Sequence, residues 1–265
     1  MKYTSKLPDE KVNHPKENLF LFALKLLAGL LVFVVLFYLV VTASVNIVAE
    51  NLSPEYEAKI MKHVQMDIDM NQTQKSAKLQ QIVDKLAVCA KLPYKVDAYV
   101  MDDFHVNAMA VPGAKMLVTK GLLHKVKTEN ELAMVLGHEL GHFKHKDNIK
   151  AMGKGLIFAL AGVLLSSDNY GSLFGTTLEL TNNRYSQEQE MDADLFGIDM
   201  MQCAYGTANG ATALFEKMKK EGEGWKYLLA DHPDFIKRIE KMKAYIREKG
   251  YDNSKKLIPL GRIYK

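Results

Sequence analysis

A chain of 265 residues, 48% hydrophobic and 25% charged, is long enough to bury one sizeable core with a short appendage beside it. Its formal net charge is only +4, and its lysines are dispersed rather than gathered into a basic block with interleaved aromatics, which argues against nucleic acid as a partner. Cys89 and Cys203 are the two cysteines and form no CxxC pair, so neither a thiolate zinc site nor a disulfide framework is expected; two buried free thiols are the favoured state, one bridge the alternative.

Residues 1–25 contain Pro8, Pro15 and many polar side chains and read as a short mobile tail. From Leu26 to Ala49 the chain carries no charge, and this stretch exceeds the ~20 helical residues needed to cross a bilayer. One transmembrane helix is therefore expected over 26–49, too long for the apolar segment of a cleaved signal. Lys2, Lys6, Lys11, Lys16 and Lys25 precede it, while Glu50, Glu55 and Glu57 follow directly. That bias puts the N-terminal side in the cytoplasm and the following domain outside it, as a single-pass protein held in the lipid bilayer.

The main domain is expected over 53–250, with 251–265 as a C-terminal tail. Ser53 and Pro54 open a stretch whose apolar residues recur at three and four, giving one or two amphipathic helices, with Leu79, Ile82, Val83, Leu86 and Ala87 as the clearest stripe. A β-type section follows: Val96 to Met101, Asn107 to Val111, a Pro112-Gly113 turn, and Lys115 to Thr119. From Thr128 the pattern becomes helical, with Thr128 as N-cap and Glu131 completing a capping box. The apolar run Gly155 to Leu165 is too short to span a bilayer; a loop is expected over 166–176, a long helix from about Leu178 to Cys203, and two more helical segments between Thr212 and Lys249, separated at 221–224 and at Asp231, His232 and Pro233. The fold class is α+β, mainly helical with a small sheet.

His138-Glu139-Leu140-Gly141-His142 is an HExxH motif in a helical setting. Its four-residue spacing puts both imidazoles one turn apart on a single face, where they can reach one zinc ion. Glu139, rotated by about 100°, points beside the metal, where a general base would meet water. Catalytic zinc keeps three protein ligands and one open position, and the acidic cluster Glu188, Glu190, Asp192 and Asp194 is the dense downstream source of a third. Glu188 and Glu190 diverge on a helix, whereas Glu190 and Asp194 share a face. His145, three residues past His142, would close the site as a fourth ligand and is read as lying outside it.

With these residues in place, the chain resembles the membrane-linked zinc metallopeptidases that include the CAAX prenyl endopeptidases, the HtpX heat-shock proteases and their periplasmic and mitochondrial relatives. The resemblance runs from about Tyr94 to Lys243, through NAMAVPG, KMLVTKGLL, ELAMVLGHELGH, YSQEQEMDADLFG and DHPDFIKRI. It implies a zincin-like domain with one Zn2+ per chain, held by His138, His142 and Glu190, with Glu139 and His232 catalytic and Asp194 accepting from a ligand imidazole. Arg238 would order the site, and His232 would steady the developing oxyanion. Asn107, Ala108, Met109 and Ala110 resemble the edge strand that pairs with extended protein or peptide substrates. Gln187 stands where an arginine is common, and Ala114 where a second glycine is usual. The expected activity is zinc-dependent endopeptidase cleavage of misfolded or membrane-associated proteins, as in protein quality control. The alternative is a catalytically idle protein keeping the zinc fold for binding or chaperone-like work. No oligomeric state is assigned.

Overall fold

The computed structural model describes residues 18–63, 70–151, 153, 185–221, 225, 228, 232 and 235–264. The apolar run 155–165, the loop expected after it and Pro233 lie outside the described residues. The chain divides into two compact units, residues 1–46 and 47–265. Most of helix α1 (Leu19–Asn51) falls in the first. The helix starts ahead of the charge-free stretch: Asn18 Oδ1 accepts the Phe20 amide at 3.1 Å, and the good helix formers that follow take residues 19–25 out of the expected tail. Among the described residues α1 is the one helix long and apolar enough to cross a membrane, and its large apolar side chains are exposed.

In the second unit, α2 (Pro54–His63) starts at Pro54, whose missing N–H suits a first helical turn. Strand β1 (Thr73–Lys75) was not expected, because its three polar residues carry no apolar alternation. Helix α3 (Ala77–Ala90) buries Leu79, Ile82, Val83 and Leu86, the stripe read from the sequence. Strands β2 (Asp97–Met101), β3 (Ala108–Val111) and β4 (Lys115–Thr119) complete a four-stranded sheet in the order β1-β2-β4-β3. β2 and β4 are parallel, and the other pairs are antiparallel. β3 and β4 are joined through Gly113 (φ 89°) and Ala114 (φ 58°); the left-handed backbone at Ala114 is the reason a glycine suits that place.

Short helix α4 (Lys120–Lys125) leads into α5 (Glu129–His145), which is buried from Glu129 to Phe143 and packs against α3, β3 and helix α6 (Gln187–Tyr205). Thr128 Oγ1 caps α5 by accepting the Glu131 amide at 3.2 Å. The reciprocal arm of the expected capping box is absent: Glu131 Oε2 accepts the Lys127 amide at 2.8 Å and meets Lys217 Nζ at 2.7 Å. A complete box sits instead at α6, between Ser186 and Gln189. Helices α7 (Ala213–Glu221) and α8 (Phe235–Glu248) follow.

Two expectations are corrected here. Cys89 and Cys203 are bonded to each other, joining α3 to α6 across 114 residues of sequence. Cys203 is exposed and Cys89 half-buried, so the reading of two buried thiols fails because the helix ends bring the pair together at the surface. Residues 251–264 are not a loose tail: Glu129 N donates to Ile258 O at 2.8 Å and Leu260 N to Lys127 O at 3.0 Å, and Ile263 is buried. The open backbone ahead of α5 recruits them.

Helices α5 and α6 approach through small residues. A Cβ on Gly137 would stand 3.0 Å from Gly197 Cα, and one on Gly141 2.9 Å from Ala193 Cα. Gly141→Ala is therefore expected to force the helices apart and lower the unfolding free energy by about 1–3 kcal/mol. Chemical denaturation measures this, and an unchanged midpoint would show that α6 shifts without strain.

Candidate metal centre

The helical period of α5 sets His138 and His142 on one face, with their Nε2 atoms 3.1 Å apart. Glu190, in the first turn of α6, brings its carboxylate to 3.7 Å from His138 Nε2 and 3.5 Å from His142 Nε2. His232 adds Nδ1, 3.2 Å from His138 Nε2 and 3.0 Å from Glu190 Oε1. One donor atom from each of these four buried residues lies within 4.8 Å of the others. Tetrahedral zinc with bonds of about 2.0–2.1 Å keeps its ligands roughly 3.4 Å apart, so these spacings suit one ion.

The outward nitrogens of the two helix-borne imidazoles are also engaged. His138 Nδ1 meets Asp194 Oδ1 at 2.9 Å, and His142 Nδ1 meets Asp147 Oδ2 at 2.8 Å. Such carboxylate partners hold the ring orientation and leave Nε2 for a metal. Arg238 clamps the carboxylates, donating from Nε to Asp194 Oδ2 at 2.6 Å, from Nη2 to Asp194 Oδ1 at 2.8 Å and from Nη1 to Glu190 Oε2 at 2.5 Å.

Burial lowers the His138 pKa below its ordinary value despite Asp194. For His142 burial acts in the same sense but is outweighed by hydrogen bonds to Asp147 and Glu190, which push it up to about 9. Glu190 and Asp194 are both held below the usual carboxylate range against their burial, Glu190 by the charges of His232 and His138 and Asp194 by Arg238. Four buried carboxyl groups, Glu139, Asp147, Glu190 and Asp194, thus line the site, and the buried guanidinium of Arg238 pairs with two of them, Glu190 and Asp194. A divalent cation answers that imbalance, and the nitrogen-rich donor set suits zinc.

Glu139 is 1% exposed. Its Oε2 accepts the Ala110 amide of β3 at 2.8 Å, while Oε1 has no hydrogen-bond partner among the described residues and stands 3.6 Å from His232 Nε2. Beside it lies a cavity of about 30 Å³ whose apolar wall is Val135, Leu214, Phe215, Met218 and Leu228.

Of the residues singled out from sequence, His138, Glu139, His142, Glu190, Asp194, His232 and Arg238 come together at this centre, and Ala110 touches it through Glu139. Asn107, Ala108 and Met109 lie farther back along the strand. His145 stays out, edge-on to Phe196 with ring centroids 5.8 Å apart. Sequence reasoning missed three residues. Asp147 pairs with His142, Asn148 Nδ2 reaches Ala110 O at 2.5 Å, and Tyr185 stacks on His142 with centroids 3.8 Å apart and rings inclined by 15°. A signal existed for Asp147: a carboxylate five residues past the second histidine, just beyond the end of α5.

An HExxH helix joined by a carboxylate from a second helix defines a metallopeptidase-type centre. The profile of peptidase family M48 matches residues 73–246, and the chain belongs to that family. It is 31% identical over 174 residues to the mitochondrial metalloendopeptidase OMA1 of Schizosaccharomyces pombe, covering 62% of this chain and 50% of that protein. It is 30% identical over 156 residues to the metalloprotease LoiP of Escherichia coli, covering 56% and 61%, and 26% identical over 226 residues to a protease HtpX homolog of Aquifex aeolicus, covering 66% and 73%. The chain spans half of the OMA1 protein and about three fifths of LoiP.

Replacing Arg238 leaves Glu190 and Asp194 buried without their cation, so Arg238→Leu is expected to cost about 3–5 kcal/mol at neutral pH. Because both carboxyls have depressed pKa values in the folded wild type, the stability they confer is present above the ordinary carboxylate pKa of about 4 and is lost as pH falls below it. The deficit of the variant should therefore narrow on acidification. Denaturation midpoints of both proteins from pH 7 down to about 3 test this, and a pH-independent gap would contradict it.

Proposed function

We propose that the chain is a membrane-anchored zinc endopeptidase, with His138, His142 and Glu190 as ligands and Glu139 as general base. One observation carries the reading: three imidazoles and a carboxylate converge on a single point beside a buried Glu139 oxygen that has no hydrogen-bond partner among the described residues. Zinc held there would act as a Lewis acid toward the scissile carbonyl and lower the pKa of water. Glu139 takes the proton from the attacking water at Oε1 and returns it to the leaving amine. A catalytic site keeps one position open, so His232 is assigned to the reacting carbonyl rather than to the metal during turnover. Its Nε2 donates to charge that appears only in the transition state. Asp194 and Asp147 fix the two imidazoles, and Arg238 holds Asp194 and Glu190 in place.

β3 recognises substrate main chain, a mode tolerant of sequence; this suits misfolded or membrane-associated protein segments. Expected for this reading, Glu139→Gln keeps one zinc per chain and cuts cleavage of an unfolded protein by about 10²–10⁴-fold. Elemental analysis paired with a protease assay checks it. A fully active variant excludes the mechanism, and wild type that holds zinc but cleaves nothing favours the idle binding protein.

The anchor is assigned to α1, and the domain after it to the extracytoplasmic side. Two independent features support this: the lysines gathered ahead of α1, and the Cys89–Cys203 bond, a kind of link that persists in oxidising compartments. A reporter active only outside the cytoplasm, fused after Lys265, is expected to work. Activity confined to a cytoplasmic reporter reverses the assignment.

A further inference from the structure

β3 is an outer strand of the sheet. Asn107 O accepts the Thr119 amide at 3.1 Å, so the backbone groups of odd-numbered residues of the strand face β4, and those of Ala108 and Ala110 face away from it, toward the outer edge of the sheet that the described residues form. An extended peptide adding to that edge needs the Ala110 N–H and C=O. Both are already in use. The Ala110 N–H donates to Glu139 Oε2 at 2.8 Å, and Ala110 O accepts from Asn148 Nδ2 at 2.5 Å. Asn148 is oriented in turn by Tyr185, whose hydroxyl donates to Asn148 Oδ1 at 2.5 Å. A carbonyl only accepts, so the amide nitrogen must face Ala110 and the amide oxygen the phenol. The Tyr185 ring lies flat on His142, which ties this chain of bonds to the metal centre.

We propose that Glu139 and Asn148 act as stand-ins for substrate on the edge of β3, so that the peptide which displaces them also releases the general base. An incoming carbonyl takes the Ala110 N–H, and Glu139 Oε2 loses its donor, which frees the carboxylate to swing Oε1 onto water. An incoming amide takes Ala110 O, and the Asn148 side chain withdraws. Each event trades one hydrogen bond for another, so the Ala110 N–H and C=O are paired both before and after the peptide arrives. Only a segment whose own backbone is unpaired can make both trades. The device therefore selects extended or unfolded chain over folded protein, and it pins the Glu139 carboxylate to β3 until such a chain is present. Asn148 is a positioning residue here, and Tyr185 sets how firmly it sits. The inference rests on the peptidase reading above.

The test uses full-length, zinc-loaded protein in detergent with fluorescently labelled, reduced and alkylated casein as the unfolded probe. Asn148→Ala removes one competitor for Ala110 O and is expected to lower KM by about two- to tenfold, the factor carried by one exchanged hydrogen bond, with kcat moving less. Tyr185→Phe keeps the ring but frees the Asn148 amide, and should shift KM in the same direction by less. Binding without turnover gives a second readout: in a Glu139→Gln background, Asn148→Ala should tighten casein binding measured by anisotropy. If Asn148→Ala does not fold, Tyr185→Phe alone decides, since its KM must fall. Wild type that cleaves nothing overturns the peptidase reading and this one together. A cleaving enzyme whose KM is unchanged or raised in the folded variants overturns this inference alone.

Discussion

At two contacts between α5 and α6 the backbones meet through glycine or alanine, Gly137 lying against Gly197 and Gly141 against Ala193. The metal centre depends on that closeness. Asp194 has one of the shortest carboxylate side chains, yet it reaches His138 Nδ1 at 2.9 Å from the neighbouring helix. Glu190, one turn earlier, reaches both Nε2 atoms. A helix pair spaced by leucines would sit 8–10 Å apart or more, and neither carboxylate would span the gap. The glycine within HExxH and the alanine before Asp194 thus shape the site without touching the chemistry.

Closeness creates an electrostatic problem. Burying Glu139, Asp147, Glu190 and Asp194 together is unfavourable unless each finds a donor or a cation. Asp194 is satisfied by Arg238 and His138, and Asp147 by His142 and Gln189. Glu190 shares Arg238 with Asp194 and otherwise looks toward the imidazoles. The raised pKa of His142 beside the lowered one of His138 expresses the same competition: burial disfavours charge on both imidazoles, and the neighbouring carboxylates draw it to His142. Metal binding must then release protons, which couples affinity to pH.

Much of this was legible from residue order. The four-residue spacing of the histidines, the shared face of Glu190 and Asp194, and the β-type section all follow from helix and strand periods, which are local properties. Other features were illegible because they arise from distant chain meeting distant chain. Nothing near Cys89 or Cys203 announces their pairing, since it depends on where α3 and α6 end. The polar strand β1 exists because β2 offers it an edge. Glu131 forsakes its capping partner because Lys217 comes within 2.7 Å. Residues 251–264 look like a tail until the bridge between Thr128 and Pro259 binds them to the start of α5.

The place where α5 stops explains how these parts act together. Lys146 takes a left-handed conformation with φ 58° without being glycine, and such a backbone persists only where its surroundings hold it. Its ammonium supplies part of that hold, bonding Glu57 Oε1 at 2.5 Å and Leu52 O at 3.1 Å. Glu57, itself buried, also accepts the Gly113 amide in the β3–β4 turn at 3.2 Å. The next residue, Asp147, turns back to His142, and the one after, Asn148, reaches β3. Three consecutive residues therefore connect the segment that follows α1, the His142 imidazole and strand β3. A displacement of the α2 segment would be felt first at Lys146 and Gly113, and thus at both the orientation of His142 and the register of Ala110.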